Sequence, residues 1–223
     1  MNLYKLHNNP DELVGYTDRN FYLGDEARDL LLQGKKLTKH IVGNVDLNND
    51  LITALPDNLH ITGDLWLIDT PIKTIGKNLS VGGNLLLTNT QITSLPDNLS
   101  VGEDLYLNDT PIKTIGKNLS IGGSLNLAGT PITTLPDISR IDRNLLLNDS
   151  QITSLPDNLS VGGNLLLTNT PIASLPDNLS VGMHLYINGT PNLDKNNLPS
   201  SLAVKGAITG TGDGALIGKL LGG

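Results

Sequence analysis

Apolar residues return along most of this chain at a fixed interval of twenty. With Leu55 taken as position 1 of a unit, further units begin at Lys35, Ile75, Leu95, Ile115, Leu135, Leu155 and Leu175. A shortened ninth copy starts at Leu198, after the extra residues Lys195 to Asn197. Self-similarity at this period is the mark of a solenoid, in which each unit forms one coil and buries its apolar edge against the next. A longer period is superposed on it. Leu55–Ser94 and Leu95–Thr134 both contain TPIKTIGKNLS, so a block of two units has been duplicated.

Within a unit, positions 1, 5, 7, 11, 13 and 18 are usually apolar. Positions 11 and 13, such as Leu85 with Leu87 or Leu165 with Leu167, predict a short strand whose position 12 faces the other way. The Gly pair before it, as in Gly82-Gly83 and Gly162-Gly163, suits a tight bend. Pro at position 2 has no N–H and favours an extended return path. Twenty residues leave no room for a regular helix on the convex side. The expected fold is therefore an α/β repeat solenoid, mostly β, with one short parallel strand per coil, a helical N-terminal cap and no convex helices. A β-helix with two or three strands per coil is the alternative, and the proline column argues against it because a central strand tolerates proline poorly. Thr or Ser at position 16, from Thr70 to Thr190, supplies hydroxyls for the backbone of each turn.

The ends depart from the pattern. Residues 1–34 lack the repeat and are read as an N-terminal cap. Within it Asp25–Gln33 predicts a short helix, with acids in its first turn and Gly34 as its stop. The solenoid is expected over 35–210. Residues 211–223 form a Gly-rich tail, expected to lack fixed structure or to fold back over the last coil. Self-association through its Leu216, Ile217, Leu220 and Leu221 is the competing expectation.

Composition narrows the picture. The chain is 38% hydrophobic but only 3% aromatic, so the core must be aliphatic. It has no cysteine, which removes disulfides, thiolate metal sites and a Cys nucleophile. A net charge of −7 argues against nucleic acid, whose phosphates need clustered Lys and Arg. No apolar run approaches the ~20 residues of a membrane span. The absence of cysteine also fits a reducing compartment, so a cytoplasmic location is expected.

The segment NLLLTNTQITSLP, Asn84 to Pro96, resembles the short leucine-rich repeats of bacterial effector proteins, and the likeness recurs over roughly Leu37 to Leu202. It implies a leucine-rich-repeat fold and recognition of a protein. The family's inward Asn is here the Thr or Ser of position 16. The ubiquitin-ligase domains of such effectors use a cysteine, so their activity does not carry over. The opening YKLHNNPDELVGY, Tyr4 to Tyr16, is similar to the start of some bacteriophage proteins. Together the two resemblances imply the cytoplasm of a bacterial or infected host cell, with a virion as the alternative.

Nothing in the sequence assembles a catalytic set. His7, His40, His60 and His184 fall in different coils or caps, and no phosphate-loop or dinucleotide fingerprint is present. No cofactor or metal is expected, and the chain is read as non-enzymatic. The informative column is position 12: Asp46, Trp66, Leu86, Tyr106, Asn126, Leu146, Leu166 and Tyr186. Trp66 to Tyr186 covers six coil steps, about 29 Å at the usual strand spacing. Acids flank it, Asp64 and Asp104 at position 10 and Asp69 and Asp109 at position 15. No Lys or Arg stands at positions 10, 12, 14 or 15 of the eight full units. An apolar stripe with acidic rims suits a protein partner that carries basic and apolar groups. The plain reading is that Leu86, Leu146 and Leu166 only pack neighbouring strands together. A structural or adhesive component of a virion or cell surface is the competing function.

Overall fold

The structure is a computed structural model, and it describes residues 21–35, 37 and 40–210. The readings of Tyr4–Tyr16, His7 and the tail 211–223 fall outside the described residues. What is described is a mostly-β parallel solenoid of about nine turns, with one short helix among the described residues.

Each full coil contributes two short strands, not one, of two residues each except for the three-residue His40–Val42. In the unit beginning at Leu55 they are His60–Ile61, at positions 6 and 7, and Leu65–Trp66, at positions 11 and 12. Isolated bridges at position 20, Ala54 with Thr74 and Ser94 with Thr114, add a third contact in places. The expectation of one strand per coil is thus corrected toward the two-or-three-strand alternative. The reason is visible in the residues. Leu99-Ser100-Val101 has the same in-out-in alternation as Leu105-Tyr106-Leu107. The proline of position 2 lies in the connecting segment, in neither strand, so it never opposed a second ladder.

The strands stack in parallel with a twenty-residue offset, as in Leu65 opposite Leu85 and Trp66 opposite Leu86. The second ladder, of positions 11 and 12, is one sheet of nine strands from Val45–Asp46 to Ile208–Thr209. The first ladder, of positions 6 and 7, is divided. Six strands run from Phe21–Leu23 to Ser120–Ile121, and four more from Arg140–Ile141 to Ala203–Val204.

The interior is aliphatic as composition demanded, with Leu65, Leu67, Ile72, Leu85 and Leu87 all fully buried. Burying a Leu or Ile side chain contributes roughly 1.5–3 kcal/mol, so stacked leucine columns dominate the stability. The hydroxyls of position 16 are buried and satisfied. Thr70 Oγ1 donates to Leu67 O at 2.8 Å, and Thr90, Thr110, Thr130, Ser150, Thr170 and Thr190 repeat the bond within their own turns.

The helix occupies Gly24–Leu32, close to its predicted bounds, and Gly34 follows it at φ 66°. It buries Ala27 and Leu31 in the common core. The preceding strand Phe21–Leu23 pairs with His40–Val42. Arg28 Nη2 donates to both carboxylate oxygens of Asp50, at 3.0 and 2.9 Å, which ties the helix to the first coil.

Two columns have a conformational cause. Asn58, Asn78, Asn98, Asn118, Asn158 and Asn178 at position 4 lie between φ 57° and 60°. At position 15, Asn49, Asp69, Asn89, Asp109, Asp149 and Asn169 lie between 55° and 60°, and Gly129 and Gly189 at 67° and 63°. Asn, Asp and Gly are the residues that enter the left-handed region at least cost.

Candidate functional site

The outward side of the second ladder brings the position-12 residues into one line. Register pairs join Asp46 to Trp66, Trp66 to Leu86, Leu86 to Tyr106 and Tyr106 to Asn126. The line continues through Leu146 and Leu166 to Tyr186. Trp66, Leu86, Tyr106, Leu146, Leu166 and Tyr186 are all half-buried, as side chains on the open face of a sheet would be. The adjoining position 14 is mixed, with Ile68 and Ala128 among Thr88, Asn108 and Asn148.

The position-10 acids belong to a spine that runs the length of the solenoid. Asn44 Oδ1 accepts the backbone N–H of Asp64 at 2.8 Å, and Asp64 Oδ1 accepts that of Asn84 at 2.6 Å. The relay continues from Asn84 to Asp104, Asp104 to Ser124, Ser124 to Asn144, Asn144 to Asn164 and Asn164 to His184. It ends where His184 Nδ1 accepts from Ala207 N–H at 3.0 Å. Each side chain therefore satisfies a backbone donor of the next coil, which the ladder alone leaves open. Asn, Asp, Ser and His interchange here because all present an acceptor near the backbone. Asp64 and Asp104 carry charge, but their position is fixed by this hydrogen-bonding duty.

Asp69 and Asp109 stand in the left-handed turns that close the face. Asp69 Oδ1 accepts from Asn89 Nδ2 at 2.6 Å, and Asp109 Oδ2 from Asn108 Nδ2 at 2.9 Å. In the same column, amide donors from Asn169 and Asn148 hold the Asp149 carboxyl below its ordinary pKa.

Tyr106 is the most strongly tied of the aromatic anchors. Its hydroxyl donates to Asp104 Oδ2 at 3.2 Å. Burial, then the Asp104 charge and this hydrogen bond, raise the phenol pKa, and the Arg143 charge opposes them. Sequence reading missed Arg143. It occupies position 9, usually Gly, and its guanidinium reaches back over one coil to lie 3.7 Å from Asp104 and 4.0 Å from Glu103. Its signal was a long cation in a glycine column. The rim at Asp104 thus has a neighbouring positive charge.

The histidines are less scattered than their sequence positions suggested. His40 and His60 share position 6 in consecutive coils, with ring centroids 6.3 Å apart, and Phe21 lies 6.2 Å from His40. His184 belongs to the spine and meets Tyr186 at 6.1 Å. Among the described residues no three His, Asp or Glu side chains gather as a metal site, and no helix is long and apolar enough to cross a membrane.

The chain was compared with protein-family models, with curated proteins and with solved structures, and none matches it.

Proposed function

We propose that this solenoid is a non-enzymatic binding module that captures another protein on the outward face of its second ladder. The carrying observation is the register that aligns Trp66, Leu86, Tyr106, Leu146, Leu166 and Tyr186 as one half-buried stripe. Large aromatic side chains with a polar tip lose little entropy on docking and serve as anchors. Asp64, Asp104, Asp69 and Asp109 border the stripe, so the complementary surface is apolar with basic groups around it. On this reading the coils are leucine-rich repeats of the kind found in bacterial effector proteins. The strand and helix of Phe21–Leu32 then act as the end cap of the stack. A phage or bacterial protein that engages a host protein fits both resemblances.

The test is affinity capture from the native host with the full chain, followed by the double variant Trp66→Ala/Tyr106→Ala. Loss of a captured protein with a nearly unchanged melting temperature supports the reading. Loss of the fold instead shows that these side chains serve the core. Retention of every captured protein removes the stripe from consideration.

A further inference from the structure

The break in the first ladder falls at one junction, between the coil Ile115–Thr134 and the coil Leu135–Ser154. At the junction before it, Ser120 N–H donates to Leu99 O, Gly122 N–H to Val101 O and Asn98 N–H to Lys117 O. No corresponding bond joins Arg140 to Leu119 or Asp142 to Ile121; the position-4 bond is also lacking from Asn118 to Asp137, as it is from Asn78 to Asp97 at an intact junction. The amide chain of position 4 also stops. Asn78 donates to Asn58, Asn98 to Asn78 and Asn118 to Asn98, and the next residue is Ile138.

The cause lies in Asp137-Ile138-Ser139, which replaces the usual Asp-Asn-Leu. A β-branched residue resists the left-handed turn that Asn adopts. Here Ile138 N–H donates to Pro136 O at 2.7 Å instead. Ser139 removes the Leu of position 5, and Ile138 packs against the core in its place, half-buried. Asp142 adds a Cβ at position 8, where Gly162 and Gly182 press close to the carbonyl of the preceding coil. Lys205 at the same position still donates to Val181 O, so the altered turn is the main cause.

The consequences collect at this junction. Ile75, Leu79 and Val81 are 7%, 0% and 1% exposed, whereas their counterparts Ile115, Leu119 and Ile121 are half-buried. Leu135, on the far side of the junction, is half-buried too. The opposite side of the junction is intact. Leu125 and Leu127 N–H still donate to Asn144 O and Leu146 O, and Gln151 and Thr153 N–H to Thr130 O and Thr133 O.

We propose that this junction is a built-in seam, at which the solenoid divides into two cooperative blocks that part from the first-ladder side, with the second-ladder bonds of Leu125 and Leu127 the last to yield. In a linear stack, stability is set by each coil and its contacts with its neighbours. A junction that loses ladder bonds and core burial is therefore where sub-global opening begins. The seam rests on hydrogen bonding and packing alone, independently of any partner.

Native-state hydrogen exchange on the full chain tests it. Leu125 and Leu127 amides, which bridge the seam, are expected to exchange about tenfold or more faster than Leu65 and Leu67, which bridge a regular junction. The variant Ile138→Asn/Ser139→Leu restores the usual turn and is expected to erase that difference. The reverse variant Asn98→Ile/Leu99→Ser moves a break upstream, and Leu85 and Leu87 should then exchange fast as well. Equal protection at Leu125, Leu127, Leu65 and Leu67 in the unaltered chain overturns the seam, whether or not either variant folds. A folded Ile138→Asn/Ser139→Leu chain whose Leu125 still exchanges fast overturns its cause.

Discussion

The two ladders are wound from the same coils, yet one runs unbroken through nine strands and the other parts after six. The difference lies in what supports each. Beside the second ladder runs the position-10 spine, which needs only an acceptor atom, and Asn, Asp, Ser and His all supply one. The first ladder depends on a left-handed Asn followed by a buried Leu. That demand is narrow, and Ile138-Ser139 fails it. A repeat is thus as continuous as its least forgiving column, and coils of equal length need not be of equal strength.

The largest expected effect separates the ladders through their cores. Leu105 is fully buried beneath the second ladder, whereas Leu119 lies half-buried at the break in the first. Leu105→Ala should cost about 3 kcal/mol or more, the usual result of emptying a closed site. Leu119→Ala should cost roughly 1 kcal/mol, because part of its surface already meets water. Urea midpoints compared at unchanged slope read both. Equal losses would mean that Leu119 is as well packed as its counterparts and would break the contrast.

Next comes the spine. Asn164→Leu leaves the His184 N–H without its side-chain acceptor and should destabilise by about 1–3 kcal/mol. Asn164→Asp keeps the acceptor and should cost much less. If both variants melt alike, the spine is incidental to the continuity of the second ladder.

Most of the framework was legible in the chain. The period, the aliphatic core, the helix near Asp25 and the hydroxyls of position 16 all follow from local rules with one strong competitor at most. The position-12 line was legible as well, since a twenty-residue register is fixed by the repeat itself. The first ladder was missed because Pro56 and its equivalents were charged against the whole return path, when they occupy only its connecting segment. The roles of Asp64 and Asp69 were read from charge, whereas one accepts a backbone N–H from the next coil and the other holds a left-handed turn. Both duties depend on contacts between coils or on a dihedral angle, which a charge tally does not contain.

Alkaline titration probes the second ladder's face. The Tyr106 pKa is raised in the folded chain, chiefly by burial and then by Asp104. A raised acid contributes stability that is fully present below its unfolded pKa, near 10, and is lost as pH rises through the folded value. The unaltered chain should therefore lose stability above about pH 10 more steeply than Tyr106→Phe. Asp104→Asn should move the Tyr106 transition back toward the ordinary range in an ultraviolet titration. An unmoved transition would leave burial as its sole cause.

The smallest effect concerns the link between the two blocks. Arg143 belongs to the coil after the break, and it approaches Glu103 and Asp104 in the coil before the one it skips. Its side chain and that of Glu103 are more than half exposed, at 58% and 52%, so solvent screens the attraction. Arg143→Ala should cost no more than about 0.5 kcal/mol in global stability. Because the guanidinium spans the junction, its removal should act on opening there before it acts anywhere else. Exchange at Leu125 and Leu127 should quicken by about twofold, with Leu65 unchanged, and 1 M salt should remove the difference from the unaltered chain. A uniform quickening along the solenoid would show instead that Arg143 serves its own coil. In that case the second ladder, the spine bond from Asn144 to Ser124 and the Gln151 and Thr153 amides hold the two blocks together without it.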